Sequence, residues 1–207
     1  MGFREYCPDF SINSQILRFC LVVFVMDEAK VIKASEEYFR ANIPQSREAE
    51  SYIRQTIWSR NYTLKLAEIY KADKFVLEVS AYLHDIGVDV GESHPSKSAK
   101  MAKEFLLTLA VPKDKLAQIT SCISNHKTGA KTYAIEEDIL QDSDSLVFLE
   151  DTYKVFFEKQ KKKSSEEQAR KNTVKKIKTI LESIHTDGAK KLALELFNKI
   201  PSTLRVE

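Results

Sequence analysis

Glycine and proline are scarce, five of each in 207 residues, so the chain lacks the punctuation that many short strands need. Cysteine is scarcer still. Cys7, Cys20 and Cys122 form no CxxC pair, which argues against both a disulfide framework and a thiolate zinc site, and fits a reducing cytoplasm. No long apolar run occurs: the stretch from Phe19 to Met26 (FCLVVFVM) falls far short of the roughly 20 residues that a membrane-crossing helix requires. Charge of one sign is also missing. With 32 Lys+Arg against 30 Asp+Glu, the net charge is +2, so no global field draws the chain to nucleic acid or to a membrane surface.

What is present is helical periodicity. Apolar residues recur at steps of three and four through most of the chain, and strict alternation over a strand length is absent. The expected class is all-α, a compact helical bundle. Helices are expected at 12–25, 27–41, 46–71, 73–86, 95–110, 113–126, 135–160, 165–184 and 187–199. Pro44, Pro95 and Pro112 fall at first turns, Asp73 and Ser93 at caps, and Gly87, Gly91 and Gly129 at stops. Residues 1–25 read as an extension dispensable for chemistry. Residues 26–207 read as a single helical domain, with a motif core at 46–150 and C-terminal helices at 151–207.

Two charge blocks break the neutrality. From Ile135 to Tyr153 there are seven carboxylates and no Lys or Arg. From Lys154 to Lys178 there are ten basic residues against three glutamates. Lys-rich helix faces of this kind are read as solvated, with docking of an acidic partner or substrate as the other reading.

Chemistry concentrates elsewhere. In Ala81-Tyr82-Leu83-His84-Asp85-Ile86-Gly87 an apolar helix ends in adjacent His and Asp, an imidazole and a carboxylate of the kind that first-row divalent ions accept. His94 follows ten residues on, before a segment whose Ser98, Ala99 and Ala102 permit close helix approach. His126 shares a helical stripe with Ile119, Cys122 and Ile123, which aims it inward. Asp142 and Asp144 lie between apolar flanks, and a buried carboxylate there needs a cation, a proton or strong hydrogen-bond donors. Two residues apart on a helix, they lie about 200° around it from one another, so the spacing favours one of them facing inward over both holding one ion. His185 sits in a turn and reads as a surface residue.

These residues resemble the HD-domain superfamily of metal-dependent phosphohydrolases, with SAYLHDIG around the His84-Asp85 pair and Asp144-Ser145-Leu146 similar to the last motif. The resemblance implies His84, Asp85 and Asp144 as ligands of one divalent metal, with His94 and His126 facing it or a second ion. An earlier histidine is expected about 29 residues before the pair. Gln55 stands there, with Ser59 and Thr63 one and two turns on, and its amide oxygen is a weaker ligand than imidazole. The implied activity is hydrolysis of a nucleotide or related small phosphate ester or anhydride. Asp85 would assist the nucleophile, and Lys97 and Lys127, the nearest cations in sequence, would hold phosphate. The donor set suits Mn²⁺, Fe²⁺, Co²⁺ or Ni²⁺, with Mg²⁺ admissible at a carboxylate-dominated site. A nucleotide pocket would draw aromatic partners from Tyr52, Trp58, Tyr62, Tyr82 and Tyr133. The alternative is a degenerate domain of this type that binds metal or nucleotide, or docks a partner, without turnover.

Overall fold

Regular structure is helical throughout the residues that the computed structural model describes, 26–43, 49–88 and 94–205. The expected helix at 12–25, Pro44, Gly91, Ser93, Cys7 and Cys20 lie outside them. Asp27 caps α1 (Glu28–Ala41) by accepting from the Lys30 amide. After α2 (Ala49–Tyr70), Asp73 caps α3 (Lys74–Leu83) by accepting from Val76 N at 3.0 Å. There follow α4 (His94–Thr108), α5 (Lys113–Asn125) and α6 (Ile135–Val147). Pro112 stands just before α5, at its cap position, one residue short of the expected first turn.

α3 is the central rod. Phe75, Val76, Leu77, Val79, Ala81 and Leu83 are all buried, so the helix is apolar around most of its circumference and must be wrapped, with Lys74 and Glu78 on the remaining face. α1, α2, α5 and α6 pack around it, and α4 lies along α5. Leu66 and Ala67 of α2, Ile119 and Ile123 of α5, and Ile139, Leu140 and Leu146 of α6 complete the core. Both ends of α3 are thereby fixed, which places the His84-Asp85 pair at the floor of a cleft.

The expected helix at 135–160 is instead interrupted. A π-helical turn, Phe148–Thr152, separates α6 from α7 (Tyr153–Lys161). The Thr152 hydroxyl donates to Val147 O at 3.4 Å, a side chain competing for a helix carbonyl. Such widened turns gather at functional sites, and here Phe148 and Thr152 both reach the cleft. The chain then returns through α8 (Glu166–Ser183), capped by Ser165, and α9 (Asp187–Phe197), capped by Thr186. Among the described residues no helix is long and apolar enough to cross a membrane.

Candidate metal centre

Two helix ends are built alike. His84 follows the last residue of α3 and His126 the last of α5, and each places its ring Nδ1 against a carbonyl three residues back, Ala81 O at 2.8 Å and Ile123 O at 2.7 Å. The last carbonyls of a helix lack intrahelical partners. An Nδ1–H donated to them satisfies the carbonyl and leaves Nε2 as the lone-pair nitrogen of the neutral ring. Both rings are buried. Their free nitrogens therefore point into the cleft rather than into water.

Asp85 is where they meet. His94 Nε2 and His126 Nε2 each lie 3.4 Å from Asp85 Oδ1, and 3.2 Å from one another. His84 Nε2 lies 3.6 Å from Asp85 Oδ2 and 3.9 Å from Asp144 Oδ1. Asp85 thus shows one oxygen to the His94/His126 side and the other to the His84/Asp144 side. A first-row ion with bonds of about 2.1 Å has donor atoms about 3.0 to 3.4 Å apart in octahedral or tetrahedral shells. Asp85, His94 and His126 match that spacing, with ligand atoms all within 4.8 Å of one another. The donor set of imidazoles and carboxylates therefore fits a divalent cation.

The electrostatics lead to the same place. Burial alone would raise the Asp85 carboxyl, but His84, His126 and His94 around it hold it well below the ordinary carboxylate range. Burial opposes charge on His126, and the Asp85 carboxylate overcomes this and raises it. Asp144 keeps 40% of its side chain accessible to the cleft. Lost hydration among the enclosing protein atoms nonetheless outweighs His84 and pushes its pKa up.

A pH dependence follows. In metal-free protein the raised His126 stabilises the fold fully below the ordinary imidazole value of 6.5 and loses that contribution as pH rises through its folded pKa. The depressed Asp85 contributes above 3.8 and loses its share only as pH falls through its lowered value. A metal takes the imidazoles in their neutral form, so it competes with those protons. The gain in Tm on adding Mn²⁺ is expected to be greater at pH 8 than at pH 5.5 by at least about 3 °C, read by scanning calorimetry. A pH-independent gain would place the ion elsewhere.

Gly87 sets the approach of α3 to α4. Its amide donates to Ser98 Oγ at 2.9 Å, and a Cβ there would stand 2.8 Å from the Ser98 backbone nitrogen. Gly87→Ala is expected to push the start of α4, and His94 with it, away from Asp85. The expected cost is about 1 to 3 kcal/mol in denaturant melts, with metal affinity in titrations lowered about tenfold or more.

His84, Asp85, His94, His126, Asp144, Gln55 and Lys127 all line one cleft of about 270 Å³. Gln55 Nε2 donates to Ser51 Oγ at 3.1 Å, a bond that does not use its carbonyl oxygen. Ser59 and Thr63, one and two turns further, are instead buried with unpaired hydroxyls. Lys97 is exposed on α4 and does not line the cleft. Of the aromatic candidates, Tyr52 lines the cleft, whereas Trp58 and Tyr62 line a neighbouring pocket with Glu150. Tyr82 is core, its hydroxyl bonded to Glu36, and Tyr133 is exposed. Sequence reasoning missed Phe148, Thr152 and Lys176 on the cleft wall. Lys176 carried a signal in the basic block, but nothing in the pattern singled it out from its neighbours.

The family model for the HD domain matches residues 56–149. No curated protein sequence matches the chain. Among solved structures, an HD-superfamily hydrolase from Bacillus thuringiensis is similar at 18% identity and a TM-score of 0.66, covering 81% of this chain and 89% of that one. YpgQ of Bacillus subtilis, in complex with ADP, is similar at 18% identity and a TM-score of 0.66, covering 85% and 98%. An HD-superfamily hydrolase from an uncultured Thermotogales bacterium is similar at 19% identity and 0.59, covering 80% and 84%.

Proposed function

Residues 56–149 match the HD-domain family model, and from that premise we propose that the chain is a divalent-metal-dependent phosphohydrolase of the HD-domain superfamily, acting on a nucleotide or related small phosphate ester or anhydride. The observation that carries this reading is the convergence of three histidine Nε2 atoms on the two oxygens of Asp85. His84, Asp85 and Asp144 would hold one ion, with Gln55 offering an amide oxygen at its edge. His94 and His126 would hold a second ion across Asp85 Oδ1.

A bound divalent ion lowers the pKa of water toward neutrality and offsets charge on phosphoryl oxygens. The chain's own groups supply position. Asp85 stays ionised at neutral pH, so it accepts a hydrogen bond from the attacking water and fixes its direction. Lys127, on the cleft rim, neutralises a phosphate oxygen. Tyr52 and the Phe148 ring offer apolar wall beside the acidic floor, suited to a nucleobase, and the ADP bound by the Bacillus subtilis relative favours that choice.

The test is phosphate release from a panel of nucleotides with the metal-replete protein. Turnover abolished by EDTA and restored by a transition metal is the expected result. Gln55 in place of an imidazole favours the second reading, a domain that binds without turnover. Stoichiometric metal with no release from any nucleotide would select it.

A further inference from the structure

Part of the basic block is paired on its own helices. Lys161 pairs with Glu158, Arg170 with Glu166, Lys171 with Glu167 and Lys178 with Glu182, all at the surface. Lys176 differs. It is half-buried on α8, lines the metal cleft, and sets its amine 5.8 Å from the centre of the Phe148 ring. Among the described residues no carboxylate lies at ion-pair distance from it. A cation held over a ring face and partly desolvated is a stronger binding group than a solvated one.

Its position along the cleft is informative. Asp144 and Phe148 are four residues apart where α6 enters the π-helical turn, about 6 Å along the axis. Phe148, over whose ring the Lys176 amine is held, thus follows Asp144 by about one helical turn on the same cleft wall. The concavity does not end there. Lys176 is shared with an adjoining groove of about 300 Å³ whose walls carry Lys175, Gln160, Asn172 and Thr179, where Asn172 Nδ2 donates to Gln160 Oε1 and the Thr179 hydroxyl to Lys175 O.

We infer that Lys176 is a specificity-determining residue that binds the phosphate adjoining the one seated at the His/Asp cluster, so that the cleft selects ligands with two or more linked phosphates over monophosphates. This rests on the phosphohydrolase reading for its chemistry, but its test does not need turnover. Lys176 comes from the C-terminal helices, beyond the stretch that matches the family model. It therefore adds selection that the metal-binding core alone would not provide.

The test is calorimetric binding of methylenediphosphonate and of orthophosphate, in buffer containing Mg²⁺, to the full chain and to Lys176→Met and Lys176→Arg. Methionine keeps the packing over Phe148 and removes the charge. The wild type is expected to prefer the diphosphonate by at least about tenfold, as one charge-assisted contact provides. Lys176→Met is expected to collapse that ratio toward one, and Lys176→Arg to keep most of it. An unchanged ratio in Lys176→Met, or no preference in the wild type, overturns the inference. A ratio that collapses as expected in a protein with no turnover leaves the inference standing and removes the hydrolase reading instead.

Discussion

Asp85→Asn is expected to abolish metal-dependent phosphate release, by at least about a thousandfold in kcat/KM, while leaving the fold intact. The side chain keeps its shape and one carbonyl acceptor, and it is only partly enclosed, with 28% accessible, so packing is conserved. What disappears is the charge that three imidazoles face. Without it, the His126 proton affinity loses its main supporting partner, and both oxygen positions between the two histidine groups lose their anionic ligand. One electrostatic donor in an active site accounts for about a hundredfold to a thousandfold, and Asp85 serves both sides of the cluster. The check pairs steady-state kinetics with metal analysis after dialysis. Retention of half the activity would mean that the chemistry lies elsewhere in the chain.

Asp142→Ala is expected to do the reverse, costing stability without costing metal. Asp142 is fully buried. It accepts from His185 N and Thr186 N, each at 2.8 Å, and from the Thr186 hydroxyl at 2.7 Å. Thr186 Oγ1 in turn accepts from Ala189 N, so one carboxylate pins the α8–α9 junction and the cap of α9 onto α6. Burial raises its pKa, and the three donors oppose that rise. Truncation removes the acceptor and strands buried donors, each costing about 1 to 3 kcal/mol. The expected loss is about 3 kcal/mol, a fall in Tm of about 6 to 12 °C for a chain of this size. Asp142→Asn keeps one acceptor but turns an N–H₂ toward another donor, and is expected to lose about half as much. Metal stoichiometry should be unchanged in both, because Asp142 does not line the cleft. Loss of metal in Asp142→Ala with normal stability would reassign it to the centre.

These two aspartates show where sequence reasoning ends. Their spacing shows that they diverge on one helix, and their apolar flanks show that each needs a partner. The partners are tertiary. Asp144 meets His84 from α3, and Asp142 meets a loop 43 residues further on. Helical class and most boundaries were legible because periodicity of 3.6 is a local property. The inward aim of His126 was legible on the same basis, from its stripe with Ile119, Cys122 and Ile123, all buried. The π-helical turn was not, since a threonine hydroxyl competing for one carbonyl leaves no periodic trace. His185 lies at the surface as its turn implied, yet its ring contacts Gln141 and Asp138. Lys97 and Lys176 exchange the places that linear proximity suggested. Nearness in sequence to His94 carried Lys97 to solvent, while packing of α8 against α6 brought Lys176 to the cleft.

The measurement that bears most directly on the account is the metal content of the full chain purified without chelators, by elemental mass spectrometry, beside His84→Ala. One or two divalent transition-metal ions per chain, lost or halved in the variant, is the predicted result. Metal-free protein whose Tm does not respond to Mn²⁺, Fe²⁺, Co²⁺, Ni²⁺ or Mg²⁺ would contradict it.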